Sequence, residues 1–211
     1  MRHRSLLTYV AAFSQRGGET AFVHRRGYRT VRWSYSRVAR ATAQFARELE
    51  ARKICRDDRV LLWGENSAEW VVAFLGCALR GAVVVPMDEI AATEFARRVA
   101  QQVDAKLVVR SRGVAGIDSN VPAIELENLE EVLAGRSSDA YPAPALERKD
   151  TLELVFTSGT TAEPKGVAIS HGNLLANLEP LEDEIQRYLK YERLVHPVRF
   201  LNLLPLSHVF G

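Results

Sequence analysis

Cysteine is nearly missing from these 211 residues: only Cys55 and Cys77 occur, without the spacing of a metal site and too few for a disulfide framework. That scarcity predicts free thiols in a reducing, cytoplasmic setting, with Cys77 as a small buried apolar residue. Long apolar runs are also lacking. No stretch approaches the roughly 18 uninterrupted apolar residues of a membrane-crossing helix. The short basic start Met1-Arg2-His3-Arg4 leads into Leu6 to Phe13, which contains Thr8 and Tyr9 and has no small-residue cleavage site, so no signal peptide is expected. Leu6, Tyr9, Val10 and Phe13 instead share one side of a helix. Charge of one sign is scarce too: 28 basic and 26 acidic residues leave a net charge of +2, spread along the chain. Without a basic stripe, nucleic acid is not expected as the main partner. Neither internal repeats nor low-complexity segments occur. What is present, 47% hydrophobic and 26% charged residues, is the composition of a globular chain with a sizeable core.

The elements alternate. Ser34 can cap a helix from Tyr35 to about Glu50, with Val38, Ala41, Phe45 and Leu49 on one face. Val60 to Trp63 reads as a buried strand. Asn66 then stands as a cap, with Glu69 in the reciprocal position three residues on, for a helix burying Trp70, Phe74 and Cys77. Gly81 ends that helix, and Ala82 to Val85 suits a strand covered on both faces. Thr93 to Asp104 gives a helix and Leu107 to Val109 a strand. This β-α-β alternation predicts an α/β fold, a largely parallel sheet with helices on both faces. Gly135 to Pro144, with Ser137, Ser138, Pro142 and Pro144, is the one break in composition. It suggests an N-terminal α/β unit over 1–134, a linker over 135–150 and a further unit over 151–211. In that last unit, Val167 to Ile169 reads as a strand and Ser170 as the cap of a helix from His171. Pro180 starts or kinks a further helix, with Leu181, Ile185, Tyr188 and Leu189 on one face and a solvated face of Glu182, Asp183, Glu184, Arg187, Lys190 and Arg193. Phe200 to Leu204 reads mainly as a buried strand.

Chemistry concentrates after the apolar run Leu152 to Phe156, in Thr157-Ser158-Gly159-Thr160-Thr161-Ala162-Glu163-Pro164-Lys165-Gly166. Hydroxyls, close-approaching backbone N–H groups at the glycines, and a lysine point charge together suit a polyphosphate. A Walker A loop is excluded: Pro164 stands where its second glycine belongs, and Gly166 where the magnesium-binding hydroxyl belongs. The run resembles the signature loop of the AMP-forming acyl-adenylating superfamily, which includes acyl-CoA synthetases, luciferases and the adenylation domains of peptide synthetases. It departs from that pattern once, at Ala162, where the family has glycine. If that position needs positive φ, alanine costs roughly 1 kcal/mol or more.

A second motif, Leu204-Pro205-Leu206-Ser207-His208-Val209-Phe210-Gly211, looks like the family segment lining the acyl and nucleotide sites. Trp33-Ser34-Tyr35-Ser36, Asp58 to Leu62, Asn66 to Trp70 and Leu79 to Asp88 are laid out as in the family's N-terminal region, as fold-building residues. The resemblance is closest to long-chain fatty acid–CoA ligases and implies the following. A carboxylate, expected to be a fatty acid, attacks the α-phosphate of ATP, pyrophosphate leaves, and coenzyme A or a carrier-protein thiol captures the acyl group, with Mg2+ assisting. Thr157, Ser158, Gly159, Thr160, Thr161, Lys165 and Gly166 would bind the nucleotide's phosphates, and Lys165 and His208 would be catalytic. The family's magnesium-binding glutamate, ribose-binding aspartate and C-terminal catalytic lysine have no counterpart here. The chain therefore looks like an N-terminal piece of a synthetase, inactive alone, and expected either to self-associate through Val198 to Leu206 or to leave that last stretch poorly ordered. A cytoplasmic location is expected, with contact at a membrane surface as a variant. The alternatives are a fatty acyl-AMP ligase or peptide-synthetase adenylation domain and, in another class, a non-catalytic binding module on the same scaffold.

Overall fold

The computed structural model describes residues 3–117, 120–157 and 163–208. Helix α1 (Leu7–Phe13) lays the predicted face against the main core: Leu6 and Leu7 are buried, and Tyr9, Val10 and Phe13 pack beside them. Strands β1 (Thr20–Arg26) and β2 (Arg29–Ser34) follow as an antiparallel hairpin that the sequence reading did not anticipate. Ser34 ends β2 and caps α2 (Tyr35–Ala51), its hydroxyl accepting from the Arg37 amide at 3.2 Å. Such a cap contributes about 1 kcal/mol. Val38, Phe45, Ala46 and Leu49 of α2 are fully buried.

Next comes a parallel β-α-β unit: β3 (Arg59–Trp63), α3 (Ala68–Arg80) and β4 (Val83–Met87). Gly81 closes α3 at φ 78°, a left-handed conformation that a side chain would strain, as its place after the helix predicts. The N-terminus differs from expectation. Ser67, not Asn66, is the cap, accepting from the Trp70 amide at 3.1 Å, and Glu69 turns away to His24 and Arg26. The chain continues through α4 (Thr93–Gln102), β5 (Leu107–Arg110), β6 (Ala123–Glu125) and the short α5 (Leu129–Leu133). It ends in β7 (Thr151–Thr157), β8 (Lys165–Ser170) and α6 (His171–Val195).

Six strands form one sheet in the order β6-β5-β3-β4-β7-β8, parallel throughout except β8, which runs antiparallel to β7. Alternation sends the two sides of each strand to different layers. Val60, Leu62, Val84, Leu107 and Val109 face α2, α3 and α5, whereas Leu61, Trp63, Val85, Met87 and Val108 face α4. Helices thus cover both faces, which is why the central strands read as unbroken apolar runs. Burying each such side chain contributes about 1.5–3 kcal/mol.

Residues 135–150 run irregularly along α2 and α3. Arg47 donates to the carbonyls of Ser137, Asp139 and Ala140, and Arg56 to that of Ala145. Glu48, buried on α2, bonds both Arg52 and Arg136 at 2.7 Å; burial works against its charge, but the two guanidiniums hold its carboxyl below the ordinary value.

Ser170 and Asn173 form a reciprocal capping box at the start of α6. Pro180 starts no new helix: α6 runs through it. The carbonyl of Ala176, which loses its partner to the proline, lies on an exposed turn where water can replace the N–H. On the charged face of α6 Asp183, Glu184 and Arg187 are exposed, as predicted, and Glu182 is the exception among the described residues. Glu182 holds His3 and Tyr9 at 3.1 Å each, and Glu179 holds Arg148 at 2.8 Å, tying the N-terminal arm to this helix.

Candidate active site

The loop with the hydroxyls and glycines joins β7 to β8. Thr157 and Lys165 face each other as the closing pair of that hairpin, so the backbone brings the loop's two ends together at the carboxyl end of β7. Ser158, Gly159, Thr160, Thr161 and Ala162 lie outside the described residues, as does the Thr157 side chain. Lys165 is exposed. Gly166 lies in the strand, paired with Phe156, and a Cβ there would stand 2.7 Å from Phe156 Cζ. Its place is thus explained by the ring lying over it, the way an aromatic covers a strand glycine.

The loop after β4 sits at the same edge of the sheet, since β4 is the strand beside β7. Asp88 follows β4 directly. Its carbonyl accepts from the Trp63 indole at 2.8 Å and its Oδ1 from the Ile90 amide at 3.1 Å, leaving Oδ2 3.2 Å from His208 Nε2. His208 is therefore brought to the carboxyl ends of the parallel strands, as Thr157 and Lys165 are, and no direct contact joins His208 to Lys165 among the described residues. In open α/β sheets this edge is where ligands bind. Partial burial, followed by repulsion from Glu65 and Asp88, raises the Glu89 carboxyl above its ordinary value, so this edge is locally acidic.

Two features escaped the sequence reading. Glu153 interrupts the run taken as apolar, opposite Val84 on β4; desolvation pushes its carboxyl up to about 7. A lone charged residue inside an otherwise apolar strand was the available signal. Asn66 lies in the loop after β3 and bonds residues 204 and 206 across the molecule, a partnership with no trace in local sequence.

Elsewhere, His24 and Glu69 approach to 3.4 Å under the hairpin, with Arg26 3.0 Å from the same carboxylate. His24 Nδ1 accepts from the Ala68 amide, and burial, outweighing the attraction of Glu69, lowers its pKa. Among the described residues no group of three or more His, Cys, Asp or Glu side chains is arranged to hold a metal ion. Cys55 and Cys77 are free, and burial pushes the Cys77 thiol up. Among the described residues no helix is long and apolar enough to cross a membrane.

An open, mainly parallel sheet with a hydroxyl-, glycine- and lysine-bearing loop at its carboxyl edge is the arrangement of an acyl-adenylating ligase's N-terminal region. The chain belongs to the AMP-binding enzyme family, whose model matches residues 10–211. Among solved structures it is similar to the fatty acyl-adenylate ligase from L. pneumophila in complex with acyl adenylate and pyrophosphate, with a TM-score of 0.72 and 26% identity over 84% of this chain and 32% of that one. It is also similar to the N-terminal domain of FACL13 from Mycobacterium tuberculosis, with a TM-score of 0.71 and 26% identity over 82% of this chain and 46% of that one. Among curated proteins, the D-alanine–D-alanyl carrier protein ligase of Bacillus thuringiensis (strain Al Hakam) is 28% identical over 123 residues, 57% of this chain and 24% of the relative. The chain thus spans about a quarter of the length of that relative.

Proposed function

We propose that this chain carries the phosphate loop and the adjoining acyl-side wall of an ATP-dependent, AMP-forming carboxylate–thiol ligase. A carboxylate oxygen attacks the α-phosphate of ATP, the bond to the β-phosphate bridge breaks, and pyrophosphate leaves. A thiol then displaces AMP from the acyl carbon. The observation that carries this reading is the common edge: the loop closed by Thr157 and Lys165 after β7, and His208 held beside β4. Thr157, Ser158, Thr160, Thr161 and Lys165 are assigned to the leaving pyrophosphate, where positioning and neutralisation of charge do most of the catalysis. Gly159 lets the backbone approach, and His208 faces the acyl group.

A fatty acid is the proposed carboxylate and coenzyme A the proposed thiol, in keeping with the Leu-Ser-His form of the last motif and with the fatty acyl-adenylate ligase among the similar structures. A carrier-protein thiol is the second reading, favoured by the D-alanyl carrier protein ligases among the relatives. With either acceptor the proposed location is the cytoplasm, with contact at a membrane surface as a variant.

ATP–pyrophosphate exchange by the complete gene product, measured across fatty acids and D- and L-amino acids, tests the reading. Exchange with fatty acids alone supports it; exchange with amino acids alone replaces the substrate class. No exchange, unrelieved by Ala162→Gly, favours a non-catalytic module. Lys165→Ala is expected to weaken ATP binding, and the binding that it removes should be the salt-sensitive part. Coenzyme A and carrier protein, offered separately to the loaded enzyme, distinguish the two acceptors.

A further inference from the structure

Residues 196–208 cross the carboxyl edge of the sheet without regular secondary structure, yet the stretch before His208 is tied down at both ends. Asn66 Nδ2 donates to the Leu204 carbonyl at 2.7 Å, and Asn66 Oδ1 accepts from the Leu206 amide at 2.7 Å. One side-chain amide thus pairs with the C=O of one residue and the N–H of the residue two further on, as the N–H and C=O of a single residue in a neighbouring parallel strand would. The intervening Pro205 has no N–H to compete for the oxygen. Two further groups close locally: the Leu204 amide donates to Asn202 Oδ1 at 3.0 Å, and the His208 amide to the Pro205 carbonyl at 3.1 Å. Leu206 packs on the main core, and His208 Nε2 reaches Asp88.

The platform beneath Asn66 is closely packed. Gly64 presses against Ser111, where a Cβ would stand 2.2 Å from the hydroxyl, and the Glu65 amide donates to that same oxygen at 3.1 Å. Ser67 is locked as the cap of α3. Asn66 is therefore free of the capping role that its position suggested, and both halves of its amide point at a segment some 140 residues away.

We propose that Asn66 is a positioning residue for His208, clamping residues 204–206 in register so that the turn to residue 208 delivers the imidazole to Asp88 at the carboxyl ends of β3 and β4. The consequence for catalysis rests on the proposed function, in which His208 faces the acyl group. The clamp itself does not. Asn is needed because it offers a donor and an acceptor in one plane: Asp keeps the acceptor and loses the donor, and Ala loses both.

The test has two arms. Amide hydrogen exchange by NMR on the 211-residue chain reads the clamp directly. Asn66→Ala and the near-isosteric Asn66→Asp are compared with wild type, with the Trp70 amide under the Ser67 cap as the internal control for folding. With Asn66→Ala, the Leu206 amide is expected to exchange roughly two- to tenfold faster, the worth of one net hydrogen bond, while Trp70 is unchanged. Equal protection of Leu206 in wild type and Asn66→Ala overturns the proposal. Pyrophosphate exchange by the complete gene product reads the consequence. Asn66→Ala should slow it roughly 10- to 100-fold in the wild-type background, the scale of a misplaced group, and should have no further effect once His208→Ala is present. An equal loss in both backgrounds means that Asn66 does not act through His208, and overturns the positioning role. If wild type shows no exchange with any acid, the functional reading fails, while the first arm still decides the clamp.

Discussion

Leu61 to Trp63 in β3 and Phe200 to Leu204 near the other end of the chain are both strongly apolar, yet their surroundings are opposite. Leu61, Leu62 and Trp63 are at most 1% exposed, flanked by β4 and β5 and covered by helices on both faces. Phe200, Leu201 and Leu203 are 88%, 83% and 80% exposed, and no strand forms there. Apolar content is the same signal in both, but a strand needs neighbours to take its N–H and C=O groups. β3 has them within some 50 residues. Segment 200–204 has only the Asn202 side chain and the Asn66 clamp for its backbone among the bonds described above.

The most direct way to break this contrast is by truncation. Leu62→Ala, at a fully buried position, is expected to cost roughly 2–5 kcal/mol in denaturant unfolding. Leu203→Ala should stay within about 0.5 kcal/mol. Comparable losses at both sites would mean that the 200–204 segment is packed in solution.

Glu153 sharpens the contrast from within the buried sheet. Its carboxyl is raised from 4.5 to about 7, so the folded state keeps the proton that the unfolded chain gives up between those values. Its stabilising contribution is full below about pH 4.5 and is lost as pH rises to about 7. Glu153→Gln should therefore raise stability by up to roughly 3 kcal/mol at pH 8 and change little at pH 4. A pH-independent effect in unfolding titrations would contradict the buried setting.

Histidines give the reverse slope. Burial lowers the pKa of His24 under the hairpin and of His171 at the start of α6, where Nδ1 accepts from the Leu6 amide. Because the unfolded chain takes up these protons more readily, stability should fall as pH drops below the ordinary histidine range. His171→Gln is expected to flatten part of that slope, which unfolding curves between pH 5 and 8 would reveal.

The exposed run should have the smallest effect on folding and a visible one on association. Light scattering or sedimentation is expected to show a species heavier than 23.6 kDa, and Phe200→Glu with Leu201→Lys should return it to monomer with folding unaltered. A wild-type chain that is monomeric at all concentrations would sink this expectation.

How far each feature was legible follows the distance over which its cause acts. The Ser34 and Ser170 caps, Gly81 in its left-handed turn, the 3.6-residue face of α2 and the doubly apolar β4 were readable because a cap, a φ angle or a periodicity is settled within a few residues. The phosphate-type loop was read from its residue types alone, and its residues 158–162 lie outside those described. The β1–β2 hairpin was not readable, because Arg25, Arg26 and Arg29 mask its alternation, and it is the packing of Phe22, Val31 and Trp33 on the core that selects strands there. Asn66 read as a cap for the same reason: its local geometry allowed that role, and Ser67 holds it because the Asn66 amide is engaged 138 and 140 residues away. Local chemistry in the chain thus determined the helix ends, the buried strands and the α/β class. Only the tertiary structure decided the strand order, the exposed course of residues 200–204 and the meeting of His208 with Asp88, since each depends on partners that the backbone brings together after the local elements have formed.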